Sequence, residues 1–116
     1  MNQNINDYHV EHINGRNFWK FMHTTAAYYP AFPSLQQQEQ MTHFVNKSAK
    51  YFLINPQWTL YWKDRINAHP PTVSNQKELS LWLCEEHNEL NQKLGRDTFS
   101  CSADVLKRRW GPFINK

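Results

Sequence analysis

The stretch from Leu81 to Cys101, LWLCEEHNELNQKLGRDTFSC, constrains this chain more than any other. It holds both cysteines, seventeen positions apart, and between them His87, Asn88, Asn91 and Lys93 recur at helical spacing. At 3.6 residues per turn His87, Asn91 and Leu94 share one face, and Cys84 lies one turn before Asn88. Such a stripe of imidazole and carboxamide groups suits a flat polar ligand. If the two sulfurs pair, closing that loop contributes roughly 3 kcal/mol in the chain-entropy model, a large share of a small domain's margin.

A chain of 116 residues supports one domain with a real core. Five tryptophans, five tyrosines and seven phenylalanines can fill a helical core or line a ring-shaped site. The net charge of +3 is compatible with a phosphate-bearing cofactor, an anionic membrane surface or simple solubility. It falls well short of the basic stripe of a nucleic-acid binder, so no nucleic acid is expected as a partner. No run of eighteen apolar residues exists, and no bilayer span is expected. The first basic residue is Arg16, and Asp7 and Glu11 precede it, which argues against a cleaved secretory signal or an Arg-rich transit peptide.

Residues 1–14 read as a polar N-terminal arm. His9 and His12 stand three apart without a third ligand and read as surface residues, not a metal site. From Gly15 to Tyr29, Phe18, Trp19, Met22, Ala26 and Tyr29 have amphipathic-helix spacing, and Pro30 and Pro33 stop the helix. A second helix is expected from Ser34, as N-cap, to Phe52, burying Met41, Phe44, Val45, Ala49 and Phe52. The QQQ run at 36–38 is expected to face solvent. A third begins at Pro56 and runs to Ala68 through Trp58, Tyr61, Trp62, Arg65 and Ile66. Its aromatic face fits extra core, a partner interface or ring stacking equally well. A fourth is capped by Ser74, turns Leu79, Trp82, Leu83, Leu90 and Leu94 inward and stops at Gly95. A short fifth follows Ser102 and ends near Trp110. The expected fold is all-α, a four-helix bundle with a short fifth helix.

Two motifs carry a family resemblance: GR-x-x-W-x-x-x-HT followed by AYYP (Gly15, Arg16, Trp19, His23, Thr24, Ala27, Tyr28, Tyr29, Pro30), and C-x-x-HN-x-x-N with a second cysteine. In these the chain resembles the flavin-linked sulfhydryl oxidases of the Erv/ALR family over roughly residues 15 to 110. The resemblance implies the bundle fold, with an FAD-binding helical domain at 15–111 and a short tail at 112–116. It implies FAD as cofactor, with contacts from Arg16, Trp19, His23, Tyr28, His87, Asn88, Leu90, Asn91, Lys93, Arg96, Arg109 and Trp110. Periodicity alone favours Trp19 as a core residue and His23 as its satisfied partner, and the resemblance changes that weighting. The resemblance also implies a structural disulfide between Cys84 and Cys101, and pairing through the first two helices, as a homodimer or with subunits of a larger complex, peripheral contact with a membrane complex included.

The family places a redox-active C-x-x-C pair at the start of the third helix, where a thiolate exchanges electrons with substrate and flavin. Here Ile54, Asn55, Pro56, Gln57 and Trp58 stand in that place, and no cysteine occurs between Met1 and Leu83. The reading is therefore a degenerate FAD-binding protein without catalytic residues of its own, reused as a structural or accessory subunit of an assembly in the mitochondrial intermembrane space. Its rival is an FAD-dependent sulfhydryl oxidase, or other flavin oxidoreductase, fed by a partner's dithiol. A third reading makes Cys84, His87 and Cys101 zinc ligands, but it lacks an obvious fourth; no metal is expected.

Overall fold

A computed structural model of the chain describes residues 5–52 and 56–110, with side chains for 16–50 and 56–110. These residues form five helices, α1 (Ile5–Ala27), α2 (Leu35–Phe52), α3 (Pro56–Ala68), α4 (Gln76–Lys93) and α5 (Ala103–Trp110), and no strand. The protein is all-α. Helix α1 packs on α4 and α5, α2 packs on α3, and α4 also touches α5.

The helix starts follow local hydrogen bonding. Ser34 caps α2 reciprocally: the Gln37 amide donates to Ser34 Oγ at 3.1 Å, and the Ser34 amide donates to Gln37 Oε1 at 2.8 Å. This is a capping box built with glutamine, so Gln37 of the QQQ run has a defined task while remaining exposed. At α4 the cap is Asn75 and not Ser74. Asn75 has extended backbone and its side chain accepts from the Glu78 amide at 2.8 Å. A carboxamide oxygen placed three residues before a free amide caps as well as a hydroxyl does, which leaves Ser74 one residue too early. The far end of α4 closes as expected: Gly95 takes φ +73, its amide donates to Gln92 O, and the Arg96 amide donates to Asn91 O. That paired arrangement is a Schellman motif. A Cβ on Gly95 would meet nothing within 4 Å, so backbone conformation and not space selects glycine there.

Helix α1 begins ten residues earlier than its apolar pattern suggests. No proline precedes Pro30, and an internal Gly15 costs about 1 kcal/mol without breaking a helix. The side chains of His9, His12 and Phe52, the residues Ile54 and Asn55, and the tail 112–116 lie outside the described residues.

The core joins Phe18, Trp19, Met22 and Ala26 of α1, Val45 and Ala49 of α2, Trp62 and Ile66 of α3, and Leu79, Trp82, Leu83 and Leu90 of α4. Leu94, expected inward, is 41 % exposed because α4 ends at Lys93 and the chain turns away at Gly95. Three large residues of the core have their polar ends paired. The Trp62 indole donates to Ser48 Oγ at 2.7 Å, the Trp82 indole to His69 O at 3.1 Å and the Tyr29 hydroxyl to Val73 O at 2.7 Å. The α3–α4 interface also buries a charge. Glu86, with a side chain 1 % exposed, accepts two bonds from Arg65 (2.8 and 3.1 Å) and contacts His69 Nδ1 at 2.5 Å.

Candidate flavin site

Helices α1, α4 and α5 bring together four rings that lie far apart in the sequence. Trp19 stacks face to face on His87, with centroids 4.2 Å apart and planes within 3°. His23 stacks in the same way on Trp110 at 4.4 Å and 6°. The two pairs are joined by His23 Nε2 and His87 Nδ1, 3.0 Å apart, so one imidazole donates and the other accepts. His23 is only 2 % exposed. Burial, followed by the neighbouring His87 and Arg109, drives its pKa well below the ordinary histidine value. Burial, then Arg109 and Arg96, lowers that of His87 to about 4. Both rings are therefore neutral at pH 7 and present flat, polarisable faces rather than charge.

The segment between the cysteines closes one side. Cys84 and Cys101 form the disulfide that the resemblance implies. With both sulfurs in that bond, a zinc site of Cys84, His87 and Cys101 has lost its thiolates. Asn88 clamps the loop: its Nδ2 donates to Phe99 O at 2.8 Å, its Oδ1 accepts from the Phe99 amide at 3.1 Å, and Cys101 Sγ lies 3.4 Å away. The clamp sets Phe99 edge-on to His87 at 5.1 Å. The Arg109 guanidinium then covers the Phe99 ring at 4.2 Å and the Trp110 ring at 5.0 Å, a cation held on two aromatic faces.

Of the residues singled out from sequence, Trp19, His23, His87, Arg109 and Trp110 thus form one cluster. Asn91 is buried and donates to Asn88 Oδ1 at 3.4 Å, and Asn88 also makes two hydrogen bonds to Phe99 of the loop. Leu90 lies in the core. Arg16, Lys93 and Arg96 are exposed, and Tyr28 is 57 % exposed in the turn that follows α1. Phe99 was not foreseen. No periodicity marks it, because its position depends on the clamp and the disulfide.

The cluster has the chemistry of a site for a flat heteroaromatic group. The Trp110 indole nitrogen is buried and has no hydrogen-bond partner. A buried donor in that state is costly, and a ligand acceptor would satisfy it. Parallel ring faces and neutral imidazoles suit stacking, and the flanking guanidinium suits an anion.

Known proteins share the sequence pattern and the fold of this chain. Residues 16–111 match the model of the Erv1 / Alr family. The chain is 35% identical over 97 residues to the mitochondrial FAD-linked sulfhydryl oxidase ERV1 of Saccharomyces cerevisiae, covering 83% of this chain and 49% of the relative. It is 32% identical over 97 residues to the FAD-linked sulfhydryl oxidase ERV1 of Arabidopsis thaliana, covering 84% and 49%. The chain thus spans about half the length of the curated relatives it matches. Among solved structures it resembles the FAD-binding domain of Erv1 from Saccharomyces cerevisiae, with a TM-score of 0.77 at 34% identity over 84% of this chain and 90% of that one. It resembles the yeast Erv1 core likewise, with a TM-score of 0.79 at 29% identity over 99% and 90%. With the match running through both halves of the ring cluster, from Arg16 to beyond Trp110, the chain belongs to the Erv1/Alr family.

Proposed function

We propose that this chain is an FAD-binding domain that carries no dithiol shuttle within its 116 residues and serves as a structural or accessory subunit of an assembly in the mitochondrial intermembrane space. The observation that carries the reading is the ring cluster with the unsatisfied Trp110 indole nitrogen. Trp19, His23, His87 and Trp110 would hold the flat cofactor, Asn91 would supply a carboxamide, and Arg109 would face its phosphates. FAD, when bound, supplies electron transfer. The residues around it bind, orient and exclude water.

Loss of thiol chemistry rests on the cysteine count. The chain has two cysteines, and both are consumed by the disulfide. A dithiol delivers electrons through a thiolate, and the aromatic residues Trp58 and Trp62 on α3 have no equivalent chemistry at neutral pH. A subunit role is supported by the surface. Phe32 and Leu35 are 95% and 79% exposed, and α2 carries an open groove of about 620 Å³ lined by Glu39, Gln40, His43, Phe44 and Lys47. Exposed apolar groups beside charged ones suit a protein partner, either a second copy or another subunit of a complex, peripheral to a membrane or not. The mitochondrial setting follows the relatives of two yeasts whose names carry that location.

The visible spectrum of the purified protein, repeated after denaturation to release flavin, tests the reading. Stoichiometric FAD without dithiol oxidation above the rate of free flavin is the expected result. A folded protein that takes up no FAD when supplied with excess overturns the cofactor assignment. Fast dithiol oxidation overturns the accessory role in favour of an oxidase fed by a partner's thiols.

A further inference from the structure

Helix α3 carries a second buried donor without a partner. The Tyr61 hydroxyl is shielded from solvent and makes no hydrogen bond. Buried hydroxyls are nearly always bonded, so the group calls for an acceptor. Its helix meets the ring cluster through one neighbour. The adjoining residue, Trp62, meets Trp19 edge to face at 5.3 Å, and Trp19 stacks on His87. The Lys93 ammonium, at the end of α4, stands 5.8 Å over the Tyr61 ring.

The hydroxyl is also held in place. The Tyr61 ring packs at a right angle to Trp58 at 6.3 Å. One turn further, Arg65 is locked to the buried Glu86 of α4, which fixes the register of α3 against α4. Burial raises the Tyr61 pKa, Arg65 opposes the rise, and Glu86 and Glu89 add to it, so the hydroxyl keeps its proton at neutral pH. What is missing is an acceptor, and an isoalloxazine edge offers carbonyl oxygens and ring nitrogens.

We propose that Tyr61 donates a hydrogen bond to the ring of the bound flavin, so that α3 contributes a phenol to the site. This inference rests on the FAD reading above. It assigns a cofactor contact to a residue that neither motif contains.

The test compares the unaltered chain with Tyr61→Phe, which keeps the ring and removes only the hydroxyl. In the cofactor-free proteins, Tyr61→Phe is expected to unfold at a higher temperature, because an unsatisfied buried group is gone. With FAD the order reverses: affinity, read by quenching of flavin fluorescence, falls about fivefold, the amount carried by one neutral hydrogen bond. The flavin absorption band shifts, and the midpoint potential becomes more negative, because a donor favours the electron-rich reduced ring. Unchanged affinity, band and potential, in a chain that binds FAD, overturn the inference and point to a water as the partner of Tyr61. If the unaltered chain binds no FAD, the cofactor reading falls first and the inference falls with it.

Discussion

Replacing Glu86 by alanine is expected to remove more stability than any surface substitution. The carboxylate side chain is 1 % exposed and accepts two bonds from Arg65 and one contact from His69. Breaking a buried ion pair by removing one partner costs about 3–5 kcal/mol, since the other charge stays behind uncompensated. Here the low end applies: the Arg65 and His69 side chains are 28% and 48% exposed and can recover water. A loss of about 3 kcal/mol, at roughly 4–5 °C per kcal/mol for a domain of this size, lowers the midpoint by about 12–15 °C. Thermal and urea unfolding followed by circular dichroism measure it. The double variant Arg65→Met/Glu86→Leu supplies the decisive comparison. Filling the interface with apolar groups leaves no buried charge and is expected to restore most of the loss. A Glu86→Ala loss below about 1 kcal/mol, which is typical of exposed pairs, would refute the reasoning. A double variant no better than the single one would refute it as well.

Two further outcomes follow from the same structure. Because the native His87 pKa is lowered to about 4 and that of His23 lies well below the ordinary value, the unfolded chain binds protons that the native one refuses between pH 6.5 and 4. Their contribution to stability is complete above pH 6.5 and is lost as the pH falls through that window, by about 3 kcal/mol for His87 alone; unfolding free energies that stay level from pH 7 to pH 4.5 would contradict it. At the start of α4, Asn75→Ala is expected to cost about 1 kcal/mol and Ser74→Ala almost nothing, and chemical denaturation with the reverse ranking would restore Ser74 as the cap.

Helix content was legible in the sequence because it depends on neighbours three and four positions apart. Phe18, Trp19, Met22, Ala26 and Tyr29 mark one face, and all five are buried. Local polar chemistry was less legible. Asn75 and Ser74 are both good caps, and only the backbone path decides which side chain reaches the Glu78 amide. Likewise the apolar pattern did not mark the start of α1, since its helical spacing becomes regular only from Phe18.

The ring cluster divides in the same way. The two motifs place Trp19, His23 and His87 as single residues, the wider resemblance adds Trp110, and spacing alone left Trp19 and His23 open to a purely core role. That Trp19 pairs with His87 and His23 with Trp110 is set by how α1, α4 and α5 pack, across 68 and 87 positions of sequence respectively. Phe99, Tyr61 and the buried Glu86 take their roles from contacts that exist only after packing. By itself the sequence determined five amphipathic segments, two cysteines and the residue types of a flat-ligand site, because periodicity and motif are local properties. Only tertiary structure decided which rings stack, which donors stay unsatisfied and which charge is buried, because each of these depends on a partner brought from a distant helix.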